Sequence, residues 1–204
     1  MPTPLPSELT RRGLIAGIAA GAAVSLARPA AALTVGEAKA LIDRVVGEIN
    51  SIISSGKSEA GMIADFERLF ARYADLGFIA PRVLGPTARS LGSAQMRAYT
   101  DALQGYISRK YGKRFREFIG GRIVVNDARQ VRSYFEVISQ AHLRGKAPFE
   151  VRWIVSDRSG RDLFRDLIIE GVSMVSAEAT EVRAMLDRRR GDIAGLTADL
   201  QRAG

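Results

Sequence analysis

The 204-residue sequence contains no cysteine, one histidine and one tryptophan. Without a thiol there is no disulfide, no thiolate nucleophile and no soft metal site. His142 alone cannot build a histidine metal site, and a serine–histidine–aspartate triad would rest on one residue inside a strand pattern, where an ordinary strand histidine is expected. No glycine-rich phosphate loop is present, because Gly120 and Gly121 precede a strand whereas phosphate cradles follow one. Asp157, Asp162 and Asp166 lie close together. Two of them flank a turn, where aspartate is common for backbone reasons, so they read as turn residues rather than an acid–base pair. Neither a cofactor nor a metal is called for.

Long hydrophobic runs are also missing, with one short exception. Residues 13–26, GLIAGIAAGAAVSL, carry no charge. At 14 residues the run is too short to span a bilayer. A polar leader ending in Arg11 and Arg12 precedes it, and Ala30-Ala31-Ala32 supplies an A-x-A cleavage site. Together these describe a secretory signal peptide over residues 1–32, with the alternative of a retained anchor, and a mature domain over 33–204. Thr10-Arg-Arg-Gly-Leu-Ile15 fits the twin-arginine export pattern, although Sec signals also carry paired arginines. Either route leads to the periplasm. The net charge of +8 falls to about +6 once Arg11, Arg12, Arg28 and Glu8 are removed. That balance favours anionic partners, and export argues against nucleic acid.

The mature part reads as helices, then strands, then helices. Thr34-Val-Gly-Glu37 is a capping box, followed by apolar residues at helical spacing from Val35 to Ile53 and a stop at Gly56. A second helix starts near Ser58 with Met62, Ile63, Phe66, Leu69, Phe70 and Tyr73 on one face. Pro81 and Pro86 are expected to break the next stretch into short turns. Ser93 is expected to cap a third long helix with the stripe Met96, Tyr99, Leu103, Tyr106, Ile107 and Tyr111. From residue 118 the period changes to two, giving strands over 121–126, 132–143, 149–156 and 162–170. Helices resume after Gly171, and Asp192 caps the last. The class is α+β, a curved antiparallel four-stranded sheet with helices packed on one side.

Three segments carry a resemblance to a known family. They are FERLFARYADLGFIAPRVLG (66–85), YTDALQGYISRKYGKRFREFIG (99–120) and VRWIVSDRSGRDLFRDLIIEGVSM (151–174). In combination they resemble the MlaC/toluene-tolerance family, over roughly residues 40–200. The resemblance implies a periplasmic phospholipid-binding protein with no catalytic residues, serving the system that maintains outer-membrane lipid asymmetry. It implies a sheet similar to that of nuclear transport factor 2, wrapped by helices around an apolar cavity. The implied partners are phospholipid, an inner-membrane ABC transporter complex and an outer-membrane lipoprotein complex, with a monomer moving between them. The twin-arginine pattern departs from the Sec-type leaders of similar proteins.

On pattern alone the aromatic stripes read as core. On the resemblance, the expected cavity walls are Phe149, Val151, Trp153 and Val155 on the third strand and Leu167 and Ile169 on the fourth. Phe66, Phe70, Leu84, Tyr99, Leu103, Tyr106 and Met174 are expected to face them. Lys110, Lys113, Arg114 and Arg116 are candidates for docking a partner or a headgroup, against the alternative that cations simply complement a helix C-terminus. Two other classes stay open. Glu136 and His142 share a strand parity, which a cavity enzyme would use, and a purely structural interaction protein would have a filled core.

Overall fold

The Thr34 hydroxyl accepts from the Glu37 N–H at 3.2 Å, and the Glu37 carboxylate accepts from the Thr34 N–H at 2.9 Å. This reciprocal cap starts α1 (Val35–Ile53), whose buried face is Ala38, Leu41, Ile42, Val45, Val46, Ile49, Ile52 and Ile53. The computed structural model describes residues 32–204, and the expected leader lies outside them apart from residue 32. Ser58 caps α2 (Glu59–Tyr73) by accepting from Gly61 N–H. Among the described residues no helix is long and apolar enough to cross a membrane.

Pro81 does not break the chain. It lies inside α3 (Leu76–Leu84), which Asp75 caps. An interior proline costs about 3 kcal/mol. Ile79, Val83 and Leu84 are each at most 1% exposed, and burying such side chains contributes ~1.5–3 kcal/mol apiece, which outweighs it. A 3-10 turn, Gly85–Ser90, follows with Pro86 in its first turn, where no N–H is needed. The next helix, α4 (Ser93–Gly112), is capped one residue earlier than expected. Gly92 is the N-cap, and its N–H donates to Gln95 Oε1 at 3.2 Å. A second 3-10 segment, Lys113–Phe118, leads into the sheet.

The sheet has five strands rather than four, β1 (Arg122–Val131), β2 (Tyr134–His142), β3 (Phe149–Ser156), β4 (Leu163–Ile169) and β5 (Val172–Ser173). They form an antiparallel meander in chain order. The extra strand follows Glu170 and Gly171, both at positive φ (50° and 84°), the conformation of a two-residue hairpin turn. On the other edge, Asn50 of α1 donates to the Ile123 carbonyl and accepts from its N–H, both at 2.9 Å. That side chain satisfies the free side of an edge strand. After β5 come α5 (Met174–Arg188) and α6 (Ile193–Arg202), the latter capped by Asp192 and packed on α4. The helices cover one face of the sheet, and the core lies between the two layers.

Candidate functional site

Side chains alternate between faces along each strand. The register pairs Val137 with Trp153, and Trp153 with Leu167, so the odd positions of β2, β3 and β4 share the helix-covered face there. Between that face and the helices lies a cavity of about 520 Å³. Its sheet wall is Phe149, Val151 and Trp153 with Leu167 and Ile169. Opposite stand Ile49 of α1, Phe66 and Leu69 of α2, Ile107 and Tyr111 of α4, and Met174. The volume falls within the range of small-ligand sites, and the walls are almost wholly apolar.

Local contacts hold the walls in place. The Trp153 indole N–H donates to Ser139 Oγ at 2.9 Å, and its ring meets Phe164 edge-on at 5.5 Å. Phe118 packs edge-on against Phe149 at 6.3 Å. The Tyr111 hydroxyl donates to the buried Glu178 at 2.8 Å, which fixes the ring at the cavity wall. Burial and the neighbouring carboxylate push that hydroxyl's pKa up, so it stays neutral.

Among the described residues charge is confined to the rim. Arg114, Glu117, Lys146 and Glu170 all line the cavity and are all exposed. Lys146 and Glu117 form an ion pair at 2.8 Å that joins the 3-10 segment to the β2–β3 loop. The Lys146 hydrogen bond holds the Glu117 carboxyl below the usual range. The chemistry such a site offers is enclosure of an apolar body with an anionic or zwitterionic end at the mouth. Among the described residues no cluster of three or more His, Asp or Glu is placed to hold a metal ion.

Of the expected wall residues, the structure places Phe66, Phe149, Val151, Trp153, Leu167, Ile169 and Met174 around the cavity. Phe70, Leu84, Tyr99, Leu103, Tyr106 and Val155 lie elsewhere, each at most 2% exposed. Phe70 is packed between Phe66 and Phe164 at 6.0 and 5.7 Å. Val155 sits past a register shift, with Phe135 and Phe164 as its cross-strand partners. Leu84 ends α3, which packs on α5. Tyr106 faces the cluster of Lys110 of α4 with Glu178 of α5, and Tyr99 lies near Arg183 of α5. Leu103, one turn from each, belongs to that buried layer. Ile49, Leu69, Ile107 and Tyr111 already stood in the apolar stripes, but a stripe does not say which of its members meets a void.

The docking cluster is likewise divided. Lys110 is engaged with Glu178 at 2.9 Å and Glu181 at 2.6 Å. Lys113 donates to the Gly204 carbonyl. Arg114 reaches the cavity rim. The Arg116 side chain lies outside the described residues.

The family profile described as MlaC protein matches residues 40–202. The chain belongs to the MlaC family. Its fold is that of a solved relative, the phospholipid-binding protein from Ralstonia solanacearum, determined in complex with a phospholipid. The two superpose with a TM-score of 0.68 at 16% identity, covering 81% of this chain and 95% of the other. No curated protein matches the sequence. The MlaC match covers every residue that lines the cavity, from Ile49 to Met174.

Proposed function

We propose that the protein is a periplasmic phospholipid carrier, which moves phospholipid between outer and inner membranes and so maintains outer-membrane lipid asymmetry. The observation that carries this reading is the cavity of about 520 Å³ with apolar walls from both layers and, among the described residues, charge only at its rim. Each methylene left in water costs about 0.8 kcal/mol, so a carrier must enclose acyl chains and leave the headgroup at the mouth. The seven expected wall residues that meet the cavity are proposed to touch acyl chain, and Arg114 and Lys146 to meet the phosphate. MlaC membership and the phospholipid held by the Ralstonia relative support the same cargo. An inner-membrane ABC transporter complex and an outer-membrane lipoprotein complex are the proposed exchange partners of a monomeric carrier. The leader over residues 1–32 is the proposed export signal.

No chemistry is assigned to the cavity. Glu136 and His142 share a parity, but it is that of the sheet face turned away from the cavity. Glu136 is engaged there by Arg129 at 2.7 Å. Asp157 accepts from the Leu33 N–H, and Asp166 accepts from the N–H groups of Leu167 and Val175.

The test is the cargo itself. Protein purified from periplasm without detergent should release near-stoichiometric phospholipid into an organic extract, read by mass spectrometry. A native spectrum showing only the apo mass, under conditions that preserve lipid on a control carrier, would overturn the reading.

A further inference from the structure

The opposite side of the sheet carries a concentration of charge that the cavity does not explain. Ile154, Asp166 and Ile168 alternate with the cavity-facing residues and so face outward. With α3 and the start of α5 they line a shallow hollow of about 450 Å³; a second, of about 820 Å³, lies between α3, the 3-10 turn after it and α5, and shares Phe78, Arg82, Val175 and Ser176 with the first. Five arginines line them. Arg183 is spent internally, donating to the carbonyls of Val83 and Arg82 at 3.0 and 2.6 Å. Arg82, Arg89, Arg158 and Arg165 have no carboxylate in an ion pair among the described residues. Two acids lie nearby: Asp75 Oδ1 accepts from the Phe78 N–H, and Asp166 accepts from the N–H groups of Leu167 and Val175 and from the Ser173 hydroxyl.

Two of these guanidinium groups are held in place. The Arg82 Cζ stands 4.0 Å from the centre of the Phe78 ring. Arg165 stands 4.8 Å from the same ring and 5.3 Å from that of Tyr134. Arg165 is where it is because of a register shift: Ile154 pairs with Asp166 and Val155 with Phe164, leaving Arg165 unpaired between them. Such bulges re-aim a side chain out of the regular pleat. Partial burial and the charges of Arg158 and Arg82 lower its pKa. A guanidinium does not give up its proton in a protein, and the charge of Asp75 offsets the repulsion only in part, so an anion from outside would relieve the rest. A stacked, planar fork is also preorganised for a carboxylate.

We propose that this arginine face is a docking surface for an acidic segment of a partner protein, distinct from the cavity. A protein segment fits better than a bilayer for two reasons. The arginines line concavities, which a flat membrane surface does not enter. Membrane-surface binding is also strengthened by exposed apolar anchors, and none of the exposed large hydrophobics among the described residues (Val35, Ile119, Val124, Val172) lines either hollow.

The probe is a fluorescently labelled octa-glutamate peptide, with binding to the purified protein read by anisotropy at two ionic strengths. Arg82→Gln/Arg158→Gln/Arg165→Gln should weaken binding roughly tenfold at low salt and less at high salt, because exposed charges are screened over ~8–10 Å. A control with the same loss of charge, Arg44→Gln/Arg97→Gln/Arg122→Gln, should change it no more than about twofold. Equal weakening in both variants overturns the proposal. So does unchanged peptide binding in the first variant together with lost binding to phosphatidylglycerol vesicles, which would point to a membrane instead. If the triple variant melts early, Arg158→Glu alone, at an exposed position, should still weaken binding several-fold, and no change there is equally fatal. The assay needs no lipid in the cavity, so its result is independent of the carrier reading.

Discussion

Trp153 donates its indole N–H to Ser139 Oγ at 2.9 Å, and that hydroxyl donates in turn to the Val151 carbonyl at 3.0 Å. Ser139 and Val151 are cross-strand partners, so one small polar group ties the cavity's largest side chain to the strand pair that carries it. The ring is 3% exposed and lines the cavity. As the sole tryptophan it reports on cavity content without labelling.

Emission should therefore differ between lipid-loaded and delipidated protein. Ser139→Ala leaves the indole N–H buried without its acceptor, which costs about 1–3 kcal/mol. The same change should broaden the emission difference by freeing the ring. Identical spectra with and without lipid would remove Trp153 from the site.

Val151 and Val155 offer a sharper comparison, because they sit on one strand and one is a wall while the other is core. Val151→Phe puts its extra volume into the cavity, so bound lipid per protein should fall while the melting temperature barely moves. Val155→Phe must displace packed neighbours around a side chain that is 0% exposed. Overpacking of that kind costs ~1–3 kcal/mol and should leave lipid per folded molecule unchanged. Phosphorus assay beside thermal melts reads both quantities. The same response at both positions would mean that the cavity does not hold the lipid.

That contrast also marks how far the sequence could be read. Capping residues and helical stripes are local signals, so Thr34, Ser58, Asp192 and the buried face of α1 were legible, as was the strand alternation. Pro81 misled because a local penalty was outweighed by burial of Ile79, Val83 and Leu84, which only the tertiary packing supplies. The short β5 was hidden because Glu170-Gly171 lacks the usual Asn-Gly signature, and the positive φ at Glu170 is imposed by the hairpin. Alternation put Val151 and Trp153 on one face but could not tell wall from core at Val155, where a bulge intervenes. Nor could the run of cations after Arg109 show which would be consumed internally. Direction of a side chain off a helix end depends on neighbours far away in sequence, as Lys110 and Glu178 illustrate.

Those two residues carry the last prediction. Glu178 is fully buried, and both its oxygens lie within 3.0 Å of Lys110 Nζ, with the Tyr111 hydroxyl at 2.8 Å. Lys110 also reaches Glu181 at 2.6 Å. Removing one partner of a buried pair strands the other charge and costs about 3–5 kcal/mol. The Lys110 side chain is 29% exposed, so water reaches the pair and Lys110→Met should fall near ~3 kcal/mol. Lys110→Met/Glu178→Leu should recover most of that loss, because the pair is replaced rather than broken. Burial pulls the Lys110 pKa down, but the hydrogen bonds and charges of Glu181 and Glu178 together raise it above its ordinary 10.5. The pair's contribution is then fully present below 10.5 and is lost as pH rises through the higher folded value. Thermal melts of the parent and Lys110→Met should therefore converge in strong alkali and differ most at neutral pH. Transfer between liposomes, normalised to folded protein, should be the same for both. Slower transfer by a fully stable Lys110→Met variant would return this lysine to the docking surface.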